Sequence, residues 1–294
     1  MIQENAGVKT LALLRVVVFG CWLIIAVLFS PRSYSMLPVS IFEPWGAYRV
    51  INFFPVELLK ILLSEWFLRS LKGFLIGGCF FCLLGVRPFK PIAIFTILLI
   101  VVYDFVVRGF SGYINHAQIG IFYSALFIAF SPAADSFSIH KKKLEEPEKD
   151  YFFPIIFTAL TLTLAYSFIG RRRFMVGGLE IFTNDALLTY LIRNTLNYSP
   201  YGFELSLTLI EYGWVILLLK VGFFVVTIAE VLSLLILFNN YLRYAWLIIM
   251  IPFHLLTLFT MNIFFWENLL LISVLFIDWE NISFNRYKMR VSTF

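Results

Sequence analysis

Apolar runs about as long as a bilayer core is thick recur from one end of this chain to the other, and that recurrence restricts the fold more than any motif. A helix needs about 20 apolar residues to cross the hydrocarbon. Irregular backbone is excluded there, because unpaired N–H and C=O groups find no water. Runs of this length lie at Leu11 to Phe29, Trp66 to Gly85, Pro91 to Phe110, Gly112 to Phe130, Tyr151 to Gly170, Trp214 to Phe238 and Leu242 to Met261. A shorter one, Ile263 to Ile277, is interrupted by Glu267. The expected fold is all-α, a polytopic transmembrane helix bundle of about eight spans forming one membrane domain over 1–294. With 61% hydrophobic and only 14% charged residues, the chain has too little polar surface to cover a soluble globule.

Three regions separate the runs. Residues 30–65 carry Pro38, Pro44, Pro55 and Trp45, the pattern of an interfacial loop with short helices lying on the membrane face. Residues 131–150 are a charged loop, and 171–213 form a second long connection. The first run lacks a basic leader and a small-x-small cleavage site, so it is expected to remain as a helix. With the N-terminus inside, the cytoplasmic side holds Lys9, Arg87, Lys90, Lys141, Lys142, Lys143, Lys149, Arg243, Arg286, Lys288 and Arg290. These outnumber Arg32, Arg49, Lys60, Arg108, Arg171, Arg172, Arg173 and Arg193 outside, and positive charge favours the cytoplasm. The expected location is thus the plasma membrane, with 131–150 in the cytoplasm and 171–213 on the outer side. The net charge of +5 gathers at the ends of the runs, where it meets lipid headgroups. Membrane lipid is the expected partner and nucleic acid is not.

Ionisable groups inside the runs carry the functional reading, since each costs several kcal/mol in hydrocarbon unless partnered. Arg15, His116, Lys220, Glu230 and His254 are of this kind, the polar Asn115 stands beside His116, and Arg171 to Arg173 follow the fifth run. At 1.5 Å per residue, His254 lies roughly 10 Å below the outer end of its run and Lys220 at a similar depth in its own. Each has a plain alternative. His116 at the interface meets headgroup water, the arginines bind lipid phosphate, and Lys220 snorkels along its methylenes. His254 and Glu230 are too short and too deep for that, so a buried pair or a wet cavity is expected around them. The candidate ligand-binding residues are Asn115, His116, Arg173, Glu230 and His254, converging on one cavity; candidate catalytic groups are His116, His254 and Lys220.

Cys21, Cys79 and Cys82 are an odd number within apolar runs, which implies no disulfide framework. Cys79-Phe-Phe-Cys82 matches the C-x-x-C of redox proteins, against two small residues one turn apart packing on a neighbouring helix. No zinc spacing, nucleophile elbow or phosphate loop is present, and no metal is expected.

The stretch Asn115-His116-Ala-Gln-Ile-Gly-Ile-Phe-Tyr-Ser-Ala-Leu-Phe-Ile-Ala-Phe-Ser-Pro resembles the Asn-His span of the HTTM superfamily, the membrane domain shared by vitamin K-dependent gamma-carboxylase and its bacterial relatives. Tyr166-Ser-Phe-Ile-Gly170-Arg-Arg-Arg173-Phe is similar to the family's Tyr-Phe-x-Ala-Gly-x-x-Lys-Leu. Gly177-Gly178-Leu179-Glu180 with Asp185-Ala186-Leu187 looks like the loop that follows. Pro252-Phe253-His254 with Met261-Asn262-Ile263-Phe264 resembles the late aromatic-His helix. Glu230 falls where the family carries an acidic residue, Arg15 matches an Arg of the first span, and the likeness runs from about Arg15 to Trp279.

The resemblance implies quinone chemistry. In the carboxylase a free-base lysine deprotonates a reduced quinol, oxygen adds, and the strong base so formed takes a glutamate gamma-proton. The Asn-His pair and the late His resemble groups that bind and polarise the quinol oxygen. This chain departs at the decisive position, for Arg173 stands in place of the lysine and Arg171 and Arg172 offer no alternative. An arginine pKa above about 12 leaves almost no free base, which argues against glutamate carboxylation. Three readings remain open: a binder or transporter of a quinone-like, lipidic or anionic ligand with Arg173 as a fixed clamp; a quinol-using oxidoreductase whose base is Lys220 or His254; and a structural or assembly protein locked by its polar residues.

Overall fold

The computed structural model describes residues 7–44, 49, 53, 55–111, 116–135, 137–139, 151–197, 202–203 and 205–279. All regular structure among them is helical: α1 (Val8–Leu28), α2 (Pro31–Ser35), α3 (Val56–Leu62), α4 (Glu65–Leu84), α5 (Phe89–Ser111), α6 (His116–Ala129), α7 (Phe152–Gly177), α8 (Glu180–Thr183), α9 (Ala186–Asn197), α10 (Leu205–Leu209), α11 (Gly213–Val231), α12 (Asn240–Met261) and α13 (Trp266–Phe276). Six of them, α1, α4, α5, α7, α11 and α12, are long and apolar enough to cross a membrane. That is the architecture of a multi-pass integral membrane protein.

The other two apolar runs form shorter helices. The 14 residues of α6 and the 11 of α13 rise about 21 and 16 Å, less than the roughly 30 Å of hydrocarbon. Residues 112–115, expected to open the fourth span, lie outside the described residues. The eighth run starts late as a helix because Asn262 ends α12 in the left-handed conformation, φ 54°. Its amide brackets the Phe203 backbone, accepting from N at 2.9 Å and donating to O at 2.6 Å. The sixth run breaks at Val231 and continues as a 3-10 turn, Ser233–Leu237. Two serines account for the break, Ser233 donating to the Thr163 carbonyl at 2.6 Å and Ser167 to the Val231 carbonyl at 3.0 Å.

Two of the three connecting regions contain helices among the described residues. Residues 30–65 hold α2, α3 and a short 3-10 turn, as expected of an interfacial segment. Residues 171–213, expected as a loop, are mainly helical: α7 runs on to Gly177, and α8 to α10 follow. The amphipathic pattern of α9 explains this, with Leu187, Leu191 and Thr195 buried at i, i+4 and i+8 while Arg193 and Leu196 face out. Of the charged loop, 136 and 140–150 lie outside the described residues.

α1 is the hub of the bundle and packs on α4, α6, α7 and α13. Its buried face carries Leu11, Leu14, Val18, Phe19 and Trp22. Arg15 is fully buried among them, donating to the carbonyls of Ala133 at 2.7 Å and Phe137 at 2.6 Å. Gly85, the left-handed cap of α4 at φ 66°, lies against that guanidinium, and a Cβ there would collide with it. Cys79 and Cys82 are free thiols buried on α4, Cys82 lying 3.6 Å from the Thr96 hydroxyl. The second half of the molecule is built on α7, which packs on α6, α8 and α11, while α12 is packed on α9, α11 and α13.

Candidate functional site

Where α7 meets α11, two faces with the same spacing are apposed. Tyr166, Gly170 and Arg173 stand at i, i+4 and i+7 on α7; Phe223, Thr227 and Glu230 stand at i, i+4 and i+7 on α11. Side chains so spaced share one face of a helix. Gly170 is the contact point, because a Cβ there would lie 2.8 Å from the Val231 nitrogen and 2.9 Å from the Thr227 oxygen. Only a residue without a side chain lets the two backbones approach so closely.

That approach sets Arg173 against Glu230. The guanidinium Nη1 donates to the Glu230 carboxylate and lies 3.4 Å from the Thr227 hydroxyl. The guanidinium carbon sits 5.0 Å from the centre of the Phe223 ring, a cation over an aromatic face. Glu230 is 1% exposed, so its charge is tolerable only beside this partner. Nη1 uses a fraction of the five N–H donors an arginine carries, and neither Nε nor Nη2 has a hydrogen-bond partner among the described residues.

Arg173 borders two open spaces. One is a cavity of about 310 Å³ walled by Arg173, Tyr190, Phe223, Phe253, Thr257 and Phe265; beyond Phe223 and Phe253 it adjoins an apolar pocket of about 480 Å³ between α9, α11 and α12. The other is a groove of about 890 Å³ along α6 and α7, whose walls include both Arg172 and Arg173. A fixed cation with spare donors in an aromatic cavity suits a ligand with an oxygen at one end and an apolar body.

His254 stands one ring away from the cavity. Its Nε2 is 2.6 Å from the Tyr166 hydroxyl, and its ring packs edge-on to Phe265 at 5.6 Å, which forms the intervening wall. Its Nδ1 is buried without a hydrogen-bond partner. Tyr166 is also edge-on to Trp246 at 5.5 Å, with Glu230 and Asn268 close to its hydroxyl. The hydroxyl and imidazole are thus a buried hydrogen-bonded pair.

Of the residues singled out in the sequence, Arg173 and Glu230 are thus joined and His254 is adjacent through Tyr166. Lys220 is elsewhere. Its ammonium donates to the Thr183 carbonyl at 3.1 Å and to Asp185 at 3.4 Å, fastening α11 to the turn between α8 and α9, and it lines none of these spaces. Asn115 lies outside the described residues, and His116 is described as the first residue of α6 in its backbone alone. Sequence reasoning gave no role to Phe223, Thr227 or Tyr190. The first two were detectable, since they share the i, i+4, i+7 face of Glu230, whereas Tyr190 joins the cavity only through the fold of α9. No protein-family model, curated protein or solved structure matches the chain.

Proposed function

We propose that this chain is a plasma-membrane protein of about eight spans, its N-terminus cytoplasmic, that binds a hydrophobic, oxygen-bearing ligand such as a quinone beside Arg173. The observation that carries this reading is Arg173 in the wall of an aromatic cavity, held by Glu230 through Nη1 and with Nε and Nη2 unpartnered among the described residues. The likeness to the HTTM membrane domain supports the same class of ligand. Glu230 holds the guanidinium in place before the ligand arrives, so little ordering is required on binding. Phe223 and Phe253 offer flat apolar walls to a ring, and a ligand oxygen accepts from Arg173. A hydrogen bond to a charged donor contributes about 1.5–3 kcal/mol. Proton abstraction by Arg173 is ruled out by its basicity, so the reading is one of binding, and carboxylation of glutamate is not part of it.

The test is titration of the purified protein with a short-chain benzoquinone, followed by calorimetry. Saturable binding is expected, weakened about tenfold or more in Arg173→Gln, in line with the loss of one such bond, and unchanged in Lys220→Ala. Equal affinity in wild type and Arg173→Gln would overturn the assignment. Labelled carbon dioxide offered with reduced quinone and a glutamate peptide is expected to give no incorporation, and incorporation above background would show that another group supplies the base.

A further inference from the structure

The groove along α6 and α7 has a charge distribution of its own. Arg172 and Arg173 stand toward one end of it, followed by Val176, Gly177 and Ile181, and its length is formed by Phe127 and Tyr123 of α6 with Leu164, Ala165 and Phe168 of α7. Arg172 and its neighbour Arg171 are exposed, and neither has an ion pair or hydrogen bond within the described residues. Phe168 is 63% exposed and Tyr123 43% exposed, on helices whose surroundings in a membrane are lipid. A bare cation heading an open, ring-walled trough of about 890 Å³ complements a molecule with an anionic head and a hydrocarbon tail.

We propose that this groove is a binding site for one anionic phospholipid, its phosphate on Arg172 and an acyl chain laid between Phe127 and Phe168. The lipid is distinguished from a free phosphate by the groove, because a phosphate alone gains only the arginine, while a lipid adds apolar contact along the helices. It is distinguished from unspecific headgroup attraction by shape, because a charge at the membrane surface needs no trough. The site is separate from the cavity walled by Phe253 and Phe265, with Arg173 on the partition between them. Arg172 contributes to the groove alone.

The test uses the full chain in nanodiscs of equal parts phosphatidylglycerol and phosphatidylcholine, with retained lipid counted by native mass spectrometry after release. One phosphatidylglycerol per chain is expected, favoured over phosphatidylcholine about fivefold, because the choline ammonium offsets the phosphate charge that Arg172 meets and one exposed ion pair is worth no more. Arg172→Glu should abolish the preference, and Ala165→Trp, which fills the trough and keeps the charge, should remove the retained lipid. Phe253→Ala, which removes a wall of the quinone cavity and lies outside the groove, should leave Arg172 its lipid, so the two assignments fail separately. Monodispersity and an unchanged melting temperature establish that each variant is folded; for a variant that is not, Arg172→Gln and Ala165→Leu replace it. Equal retention of the two lipids by wild type, full retention by Ala165→Trp, or displacement by millimolar inorganic phosphate would each overturn the proposal.

Discussion

At the residue scale, three ionisable groups in the apolar helices are matched at short range, and the cost of unmatching them is calculable. Arg108 donates to Asp104 at 2.6 Å one turn away on α5, Arg15 takes two carbonyls, and Glu230 takes Arg173. Removing one member of a buried pair costs more than removing both, since it strands the other charge. Arg173→Leu should therefore destabilise the protein by about 3 kcal/mol, the low end for a buried pair given that Arg173 is partly exposed. The double change Arg173→Leu with Glu230→Leu should recover most of that loss, as read by melting temperature in detergent. A double variant as unstable as the sum of its singles would show that the two side chains act independently. The sequence marked Arg173 and Glu230 as costly but could not show them in contact, because they are 57 positions apart and the link depends on the crossing of α7 and α11. His254 was legible for the same reason, whereas its partner Tyr166 was not, a tyrosine being unexceptional in an apolar helix.

At the element scale the deciding feature is a glycine. Gly170 lets α11 lie against α7, and any side chain there must push Glu230 and Val231 away. Gly170→Leu should cost about 1–3 kcal/mol through overpacking and should also weaken quinone binding, because Glu230 would no longer steady Arg173. Unchanged binding in a folded Gly170→Leu protein would separate the helix crossing from the site. The long helices were readable because hydropathy and length alone define them. Where the reading slipped, local polar chemistry decided the boundary. Ser233 and Ser167 turned the end of the sixth run into a 3-10 segment, Asn262 delayed the eighth, and the one-sided apolar face of α9 made helix of an expected loop. These are tertiary effects, invisible to a hydropathy window.

At the scale of the whole molecule, contacts at the two ends of the bundle fit the alternation that the sequence implies. At one end Arg87, in the α4–α5 turn, meets Asp135 after α6 at 3.0 Å, and Tyr151 at the start of α7 donates to the same carboxylate at 3.1 Å. At the same end Arg15 holds the carbonyls of Ala133 and Phe137. At the other end Glu43 donates its backbone N–H to Gly109 at 2.7 Å, and Phe29 meets Tyr103 and Tyr34. In the proposed orientation, which rests on the excess of Lys and Arg, the Arg87 end is cytoplasmic. Single cysteines at the exposed positions Lys90 and Arg193 test that assignment, and the native thiols are buried and should stay silent. A membrane-impermeant maleimide added to intact cells should label Arg193→Cys and spare Lys90→Cys until the membrane is opened. The reverse pattern would invert the molecule and place the Arg172 groove and the Arg173 cavity nearer the cytoplasmic leaflet, where anionic lipid is richer. Labelling of both positions in intact cells would mean that the number of crossings between them is even, and the span count rather than the orientation would then have to change.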